Sequence, residues 1–197
     1  MRSKILPPYC VNGRSLQAID GVIVHYFSGK NVDVEKQFDL DVCRNLFMDL
    51  NRPKAAREWY MQADRWPDER MYASAHLMIG RDGETWKLVE YGIEAYHAGA
   101  SILNGRNGCN RFTLGIELMG TQDSGFTRKQ YEELAGILID LQDEHQFPIE
   151  NIAGHDTVRW ASIQAGGTDK RPKYDPSGRK DGKGDNFDWS YLWSLMA

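Results

Sequence analysis

Two short segments near the C-terminal end of the chain carry residue types that can bind a metal ion. Gly154-His155-Asp156 is followed, after a Gly-rich stretch, by Lys173-Tyr174-Asp175-Pro176. The imidazole of His155 and the carboxylate of Asp175 are both ligands that zinc accepts. A third ligand must come from elsewhere. His25 is the leading candidate, because it follows the apolar run of residues 21–24 at the end of a predicted buried strand.

Glu117 is the second residue whose position suggests chemistry. It is the one charged residue in the apolar segment Leu114–Met119, which we predict to be a buried strand. A buried carboxylate is costly unless it is paired or used. Two interpretations remain open at this point: alternation along the strand places Glu117 on a solvated face, or the carboxylate acts as a general base on a metal-bound water.

The remaining histidines have a simpler interpretation. An isolated histidine such as His76 or His97 is most readily a core residue that is hydrogen-bonded to the main chain. His25 and His155 differ because they occur together with Asp175, Lys173 and Glu117.

The elements that must position these residues are strands interleaved with helices. We predict strands over residues 21–28, 73–79, 85–91 and 114–119, with Arg81-Asp82-Gly83 as the turn of a hairpin. Apolar residues that recur every four positions predict a helix over 32–50. Thr127 and Gln130 fit a capping box at the start of a second helix, and Asp188 caps a last one. This order predicts an α/β fold, a sheet layered by helices.

The other segments are predicted as irregular or short. Residues 1–20 are an irregular arm, 54–72 a helix-plus-loop insertion, and 95–112 a loop. Residues 151–158 form a short strand and a turn that contains His155.

Composition narrows the function classes. The 197 residues are 41% hydrophobic and 26% charged, with a formal net charge of −4, which disfavours non-specific nucleic-acid binding. No run approaches the roughly twenty apolar residues of a membrane span, and residues 1–8 lack the apolar stretch of a signal peptide. We therefore expect a cytoplasmic protein whose three cysteines stay reduced.

A basic cluster near the C-terminus has two open interpretations. It is either a solvated loop or a rim that attracts an anionic substrate. The cluster comprises Lys170, Arg171, Lys173, Arg179, Lys180 and Lys183.

Seven short motifs follow one another along the chain. They are Val24-His25-Tyr26, Ser74-Ala75-His76, Tyr96-His97-Ala98-Gly99, Cys109-Asn110, Gly115-Ile116-Glu117-Leu118, Gly154-His155-Asp156 and Lys173-Tyr174-Asp175-Pro176. Taken in this order, they resemble the zinc-dependent N-acetylmuramoyl-L-alanine amidases, a family that includes phage lysozyme-type amidases, cell-wall-recycling amidases and peptidoglycan recognition proteins. The resemblance covers roughly residues 21–193 and is closest to the recycling branch over 96–120.

The resemblance implies a single domain with a mixed central β-sheet flanked by helices, and one zinc ion in a groove at the sheet edge. It implies an N-terminal arm over 1–20 and a catalytic domain over 21–197, with an enlarged insertion at 29–72. The implied zinc ligands are His25, His155 and Asp175; the implied catalytic residues are Glu117 and Lys173; the implied substrate contacts are His97, Asn110 and Tyr26.

The implied reaction is hydrolysis of the amide bond between the lactyl group of N-acetylmuramic acid and L-alanine, in anhydro-muropeptides or in intact wall. Zinc lowers the pKa of a bound water to about 7. Glu117 takes a proton during attack and passes it to the leaving nitrogen, and Lys173 helps to stabilise the oxyanion.

Three alternatives stay open. Some relatives bind peptidoglycan without cutting it, but they typically lack a zinc ligand, whereas all positions are filled here. A phage lysis enzyme that acts on intact wall fits equally well. A zinc peptidase is more distant, because the sequence has no His-Glu-x-x-His helix. Three features depart from the family pattern and affect the rim of the groove, and hence the choice of substrate. They are Tyr96, at a position where tryptophan is common, the enlarged segment 29–72, and the long stretch from His155 to Lys173.

Overall fold

A six-stranded mixed β-sheet forms the centre of the structure. The computed structural model describes residues 1–29, 33, 35–58, 70–121, 123–166 and 187–197, except for the side chains of 160–163. The strands are β1 (Arg2–Ser3), β2 (Val11–Ser15), β3 (Val22–Phe27), β4 (Leu77–Ile79), β5 (Thr85–Lys87), β6 (Ile93–Ala95), β7 (Ile102–Leu103), β8 (Arg106–Asn107), β9 (Leu114–Met119) and β10 (Ile152–Gly154). The helices are α1 (Leu40–Leu50), α2 (Arg128–His145), α3 (His155–Gln164) and α4 (Trp189–Met196).

The strand order of the main sheet is β1-β5-β4-β9-β3-β10. Adjacent strands are parallel except for β4 and β5, which form the hairpin predicted around Asp82-Gly83. Two further pairs, β2 with β6 and β7 with β8, are antiparallel and lie outside this sheet. The mixed sheet with flanking helices confirms the predicted fold class.

The two faces of the sheet have different partners. Successive strand residues point to opposite faces. Val22 and Val24 of β3 and the even-numbered residues of β9 lie with the apolar side chains of α2 and α4 in one core cluster. On the other face, α1 packs near β4 and the end of β3, where Phe27 stacks on Phe47 with ring centroids 4.5 Å apart. His25 and Glu117 belong to this second face, because they alternate with the residues of the first cluster.

Helix starts follow their capping residues. The side chain of Thr127 accepts from the Gln130 N–H and the Gln130 side chain accepts from the Thr127 N–H, as predicted for a capping box. Asp188 caps α4 by accepting from Tyr191 N–H, also as predicted. The helix predicted over 32–50 begins only at Leu40, because the carboxylate of Asp39 accepts from Val42 N–H and fixes the start there.

Three other predictions of local structure were wrong. The arm over 1–20 contains β1, which extends the main sheet, and β2. The loop over 95–112 contains the β7–β8 hairpin. His155 opens helix α3 instead of lying in a turn. The strands β1, β7 and β8 escaped prediction because two residues cannot express an alternating pattern.

The enlarged segment 29–72 is described only in part, at 29, 33, 35–58 and 70–72. A short 3-10 helix over Lys54–Ala56 is its only regular element after α1 in that described part. In the described part of the chain, no helix is both long and apolar enough to cross a membrane.

Candidate active site

Two parallel strands bring His25 and Glu117 side by side. β3 and β9 are paired so that His25 lies directly opposite Glu117, and neighbouring strands are about 4.8 Å apart. Both residues are on the same face, and both are buried, with exposures of 2% for His25 and 7% for Glu117. Strand alternation therefore does not place Glu117 on a solvated face, and the carboxylate lies in a largely desolvated environment beside an imidazole.

His155 reaches the same place through the next strand. β10 pairs with β3 so that Gly154 is opposite Val24, and the chain then turns directly into α3. His155 is the first residue of that helix, and its ring centroid is 4.6 Å from that of His25. His25 and His155, 130 positions apart in sequence, thus lie next to each other.

His97 lies directly against His25. Its Nδ1 is 3.1 Å from Nε2 of His25, and its Nε2 is 3.2 Å from the carbonyl oxygen of Thr113. His97 is 8% exposed, and both of its ring nitrogens have hydrogen-bond partners inside the protein. Its observed contacts are with a predicted zinc ligand and the main chain, and its predicted contact with the substrate stays a prediction.

Asn110 holds the main chain next to these rings. Its Oδ1 accepts from the N–H groups of His97 (3.2 Å) and Ala98 (2.7 Å). The carbonyl oxygen of Ala98 is in turn 3.2 Å from Nε2 of His155. The predicted substrate contact of Asn110 stays a prediction, whereas its observed hydrogen bonds are structural.

Gly115 and His76 complete the layer around His97. A Cβ on Gly115 would lie 2.5 Å from Cγ of His97, so only glycine leaves room for the ring. The Gly115 N–H donates to Nδ1 of His76 (2.9 Å), and Nε2 of His76 donates to the carbonyl of Ile93 (2.9 Å). His76 is thus a core histidine bonded to the main chain, which confirms its simpler interpretation.

Burial keeps these inner histidines neutral. It lowers the pKa of His76 to about 4, although the hydrogen bond to Ile93 acts in the opposite direction. Burial, and then the neighbouring His76 and His155, lower the pKa of His97 well below its usual value, against the opposing hydrogen bond to Thr113. Neutral rings with one donor and one acceptor nitrogen fit the hydrogen bonds observed.

Two described side chains have the chemistry to bind a zinc ion, because His25 and His155 supply imidazoles whose ring centroids are 4.6 Å apart. Glu117, the predicted general base, is buried nearby on the neighbouring strand. The described residues do not contain a group of three side chains that could hold a metal. The predicted third ligand, Asp175, lies outside the described residues, as do Lys173 and the whole basic cluster from Lys170 to Lys183.

Tyr26 is not among the residues gathered around His25. It is the next residue along β3, and its ring contacts Phe126, 5.9 Å away between centroids, in the cluster on the α2 face. The groups that sequence reasoning missed are the carbonyls of Ala98 and Thr113 and the requirement for glycine at 115. Main-chain atoms leave no signal in the sequence. The requirement for glycine could have been suspected, because Gly115 lies two residues before Glu117 in an otherwise apolar strand.

Comparison with known proteins adds an independent finding. The family model described as N-acetylmuramoyl-L-alanine amidase matches residues 15–178. The 1,6-anhydro-N-acetylmuramyl-L-alanine amidase AmpD of Enterobacter cloacae is 35% identical over 124 residues, which are 63% of this chain and 57% of that protein. The chain therefore aligns with little more than half the length of that relative.

Solved structures share the fold. The solution structure of AmpD from Citrobacter freundii is 27% identical and superposes with a TM-score of 0.60, covering 99% of this chain and 89% of that one. A crystal structure of a selenomethionine derivative of AmpD gives a TM-score of 0.66 at 23% identity and covers 100% of this chain and 94% of that one. The second likeness, at that identity, concerns the fold alone.

Proposed function

Because the chain belongs to the N-acetylmuramoyl-L-alanine amidase family, we propose that it is a zinc-dependent amidase. Its reaction is hydrolysis of the amide bond between the lactyl group of N-acetylmuramic acid and the L-alanine of the peptidoglycan stem peptide. The observation that carries the proposal is the cluster of His25, Glu117 and His155 on one face of the sheet, inside the segment that matches the family.

Zinc would be held by His25, His155 and Asp175, with one ion per chain. When bound, zinc supplies a Lewis acid and lowers the pKa of a coordinated water to about 7. Three protein ligands leave one position for water or substrate, as catalytic zinc sites require. The two histidines support this assignment because their rings converge from β3 and α3 onto one point of the same sheet face.

Glu117 would be the general base and then the general acid. Glu117 is 7% exposed and lies across from His25, so it is next to the metal position and largely shielded from solvent. It takes a proton from the attacking water and delivers it to the departing L-alanine nitrogen. Lys173 would place its positive charge beside the oxygen that becomes negative during attack.

The substrate class we favour is the soluble 1,6-anhydro-muramyl peptide. The support is the name and the 35% identity of the relative from Enterobacter cloacae. Peptidoglycan in intact wall is the second possible source of the same bond, and a protein that only binds muropeptides is the rival from another class.

The test is a parallel digestion of a synthetic anhydro-muramyl tripeptide and purified sacculi, read by mass spectrometry. We expect release of free stem peptide from the soluble substrate, with slower release from sacculi. Glu117→Gln should bind zinc like the wild type and lose about 10² to 10⁴ in rate. Faster release from sacculi would move the assignment to a wall-lysing enzyme, and tight binding with no cleavage would refute the amidase proposal in favour of a binding module.

A further inference from the structure

We propose that the two-residue segment His97-Ala98, anchored by Asn110, fixes the tautomers of both zinc-binding histidines so that each presents Nδ1 to the metal. The proposal rests on the proposed function only for the identity of the metal. His97 and Asn110 are positioning residues in this account, because they act through His25 and His155.

The tautomer of His25 follows from a chain of hydrogen bonds. A carbonyl oxygen can only accept, so the 3.2 Å contact with Thr113 places the proton of neutral His97 on Nε2. Nδ1 of His97 is then an acceptor, and Nε2 of His25, 3.1 Å away, must donate to it. In a neutral imidazole one nitrogen donates and the other carries the lone pair. His25 therefore carries its lone pair on Nδ1.

The tautomer of His155 follows from the next residue of the segment. Nε2 of His155 is 3.2 Å from the carbonyl oxygen of Ala98, which again can only accept. His155 therefore also has its proton on Nε2 and its lone pair on Nδ1. The same short segment thus sets the same tautomer in both rings, whose centroids are 4.6 Å apart.

The segment is held in place from two sides. Asn110 Oδ1 accepts from the main-chain N–H groups of His97 and Ala98, at 3.2 Å and 2.7 Å, which fixes the main chain. Gly115 leaves room for the His97 ring to pack against β9, because a Cβ at this position would lie 2.5 Å from Cγ of His97. Acceptors that hold the second nitrogen of a metal-binding histidine typically contribute 10- to 100-fold to metal affinity.

Histidine tautomers can be measured directly in the full chain. Long-range ¹H–¹⁵N correlation spectra of the ¹⁵N-histidine-labelled wild type, metal-free and zinc-loaded, should show His25 and His155 protonated on Nε2 in both states. On zinc addition, the ¹⁵N shift of Nδ1 should change in both rings. Protonation on Nδ1, or ligation through Nε2, in either ring overturns the proposal.

The zinc affinity of variants tests whether Asn110 anchors the His97-Ala98 segment. Asn110→Ala should weaken zinc binding about 10- to 100-fold in a chelator competition, whereas Asn110→Asp, which keeps the acceptor oxygen, should recover most of the affinity. Asn107→Ala is the matched control, because Asn107 is exposed on the neighbouring β8. Equal losses in the Ala and Asp variants, or no loss in either, would contradict the proposal.

Failure of this inference is distinguishable from failure of the proposed function. Zinc bound through both Nδ1 atoms in a protein that does not cleave muropeptides refutes the function and leaves the inference intact. Muropeptide cleavage by a protein that binds zinc through Nε2 supports the proposed function and refutes the inference about the tautomers.

Discussion

Replacing Gly115 by alanine should disturb the layer of side chains beneath the site without touching a predicted ligand. The added Cβ would lie 2.5 Å from Cγ, 2.8 Å from Cβ and 2.8 Å from Nδ1 of His97. These atoms are the base of a buried ring whose two nitrogens are both hydrogen-bonded. The ring cannot swing aside as the end of a flexible side chain would, so either β9 or His97 must move.

The destabilisation caused by Gly115→Ala should lie near the top of the range that is typical of overpacked cores. Such insertions typically cost about 1 to 3 kcal/mol, and the contact here is with the fixed part of a ring in the middle of β9. We expect a loss of about 2 to 3 kcal/mol in the free energy of unfolding. For a chain of this size that corresponds to a decrease in Tm of roughly 4 to 12 °C. Urea unfolding followed by circular dichroism measures the first quantity, and a thermal scan of the same sample measures the second.

The chain contains a matched control for this substitution. Gly136 lies on the exposed side of α2, and a Cβ there would meet nothing within 4 Å. Gly136→Ala should stabilise the protein by about 0.5 to 1 kcal/mol, since alanine is the better helix former. If Gly115→Ala unfolds with the wild-type midpoint while Gly136→Ala behaves as expected, the packing of His97 against β9 is refuted.

Three further outcomes are expected. His76 has a pKa of about 4 in the folded protein against 6.5 ordinarily, so the unfolded chain binds more protons between these values and stability falls as pH drops through this window. The loss in the free energy of unfolding reaches about 2 kcal/mol by pH 5. The urea midpoints at pH 7 and pH 5 should therefore differ less in His76→Gln than in the wild type. The same difference in both proteins would show that His76 is not the source of the pH dependence. Thr127→Ala should lower stability by about 1 to 2 kcal/mol, because its hydroxyl caps α2 and donates to the carbonyl of Arg81 at 2.7 Å; unchanged urea midpoints would mean that the cap contributes nothing. Asp175→Ala should lose both zinc and turnover, because two ligands hold zinc poorly; retention of both, by metal analysis and peptide release, would exclude Asp175 as a ligand.

The features that sequence predicted well are those with long periodic patterns or specific caps. The apolar run of β9 with one charged residue, the capping box at Thr127 and the Asp-Gly turn between β4 and β5 each have a local physical cause, and each is present. The pairing of His25 with Glu117 could be anticipated only through the chemistry they share. The register that places them opposite each other is set by contacts between segments almost a hundred residues apart.

What sequence could not predict has equally physical reasons. β1 consists of two exposed residues, and it exists because the edge of β5 offers unpaired main-chain groups at Trp86 and Lys87. The start of α1 depends on one hydrogen bond that the Asp39 carboxylate accepts from Val42 N–H, although the apolar stripe begins earlier. The role of Asn110 as an anchor depends on two main-chain N–H groups, and a main-chain donor is the same in every sequence except at proline.

Zinc content of single variants tests the central claim most directly. Wild type, Glu117→Gln, His25→Ala and His155→Ala would be purified in parallel, dialysed mildly, and analysed for metal per chain by inductively coupled plasma mass spectrometry. The cluster on β3, β9 and α3 leads us to expect close to one zinc per chain in the wild type and in Glu117→Gln, and little zinc in either histidine variant. Full zinc content in both His25→Ala and His155→Ala would contradict the assignment of this cluster as the metal centre.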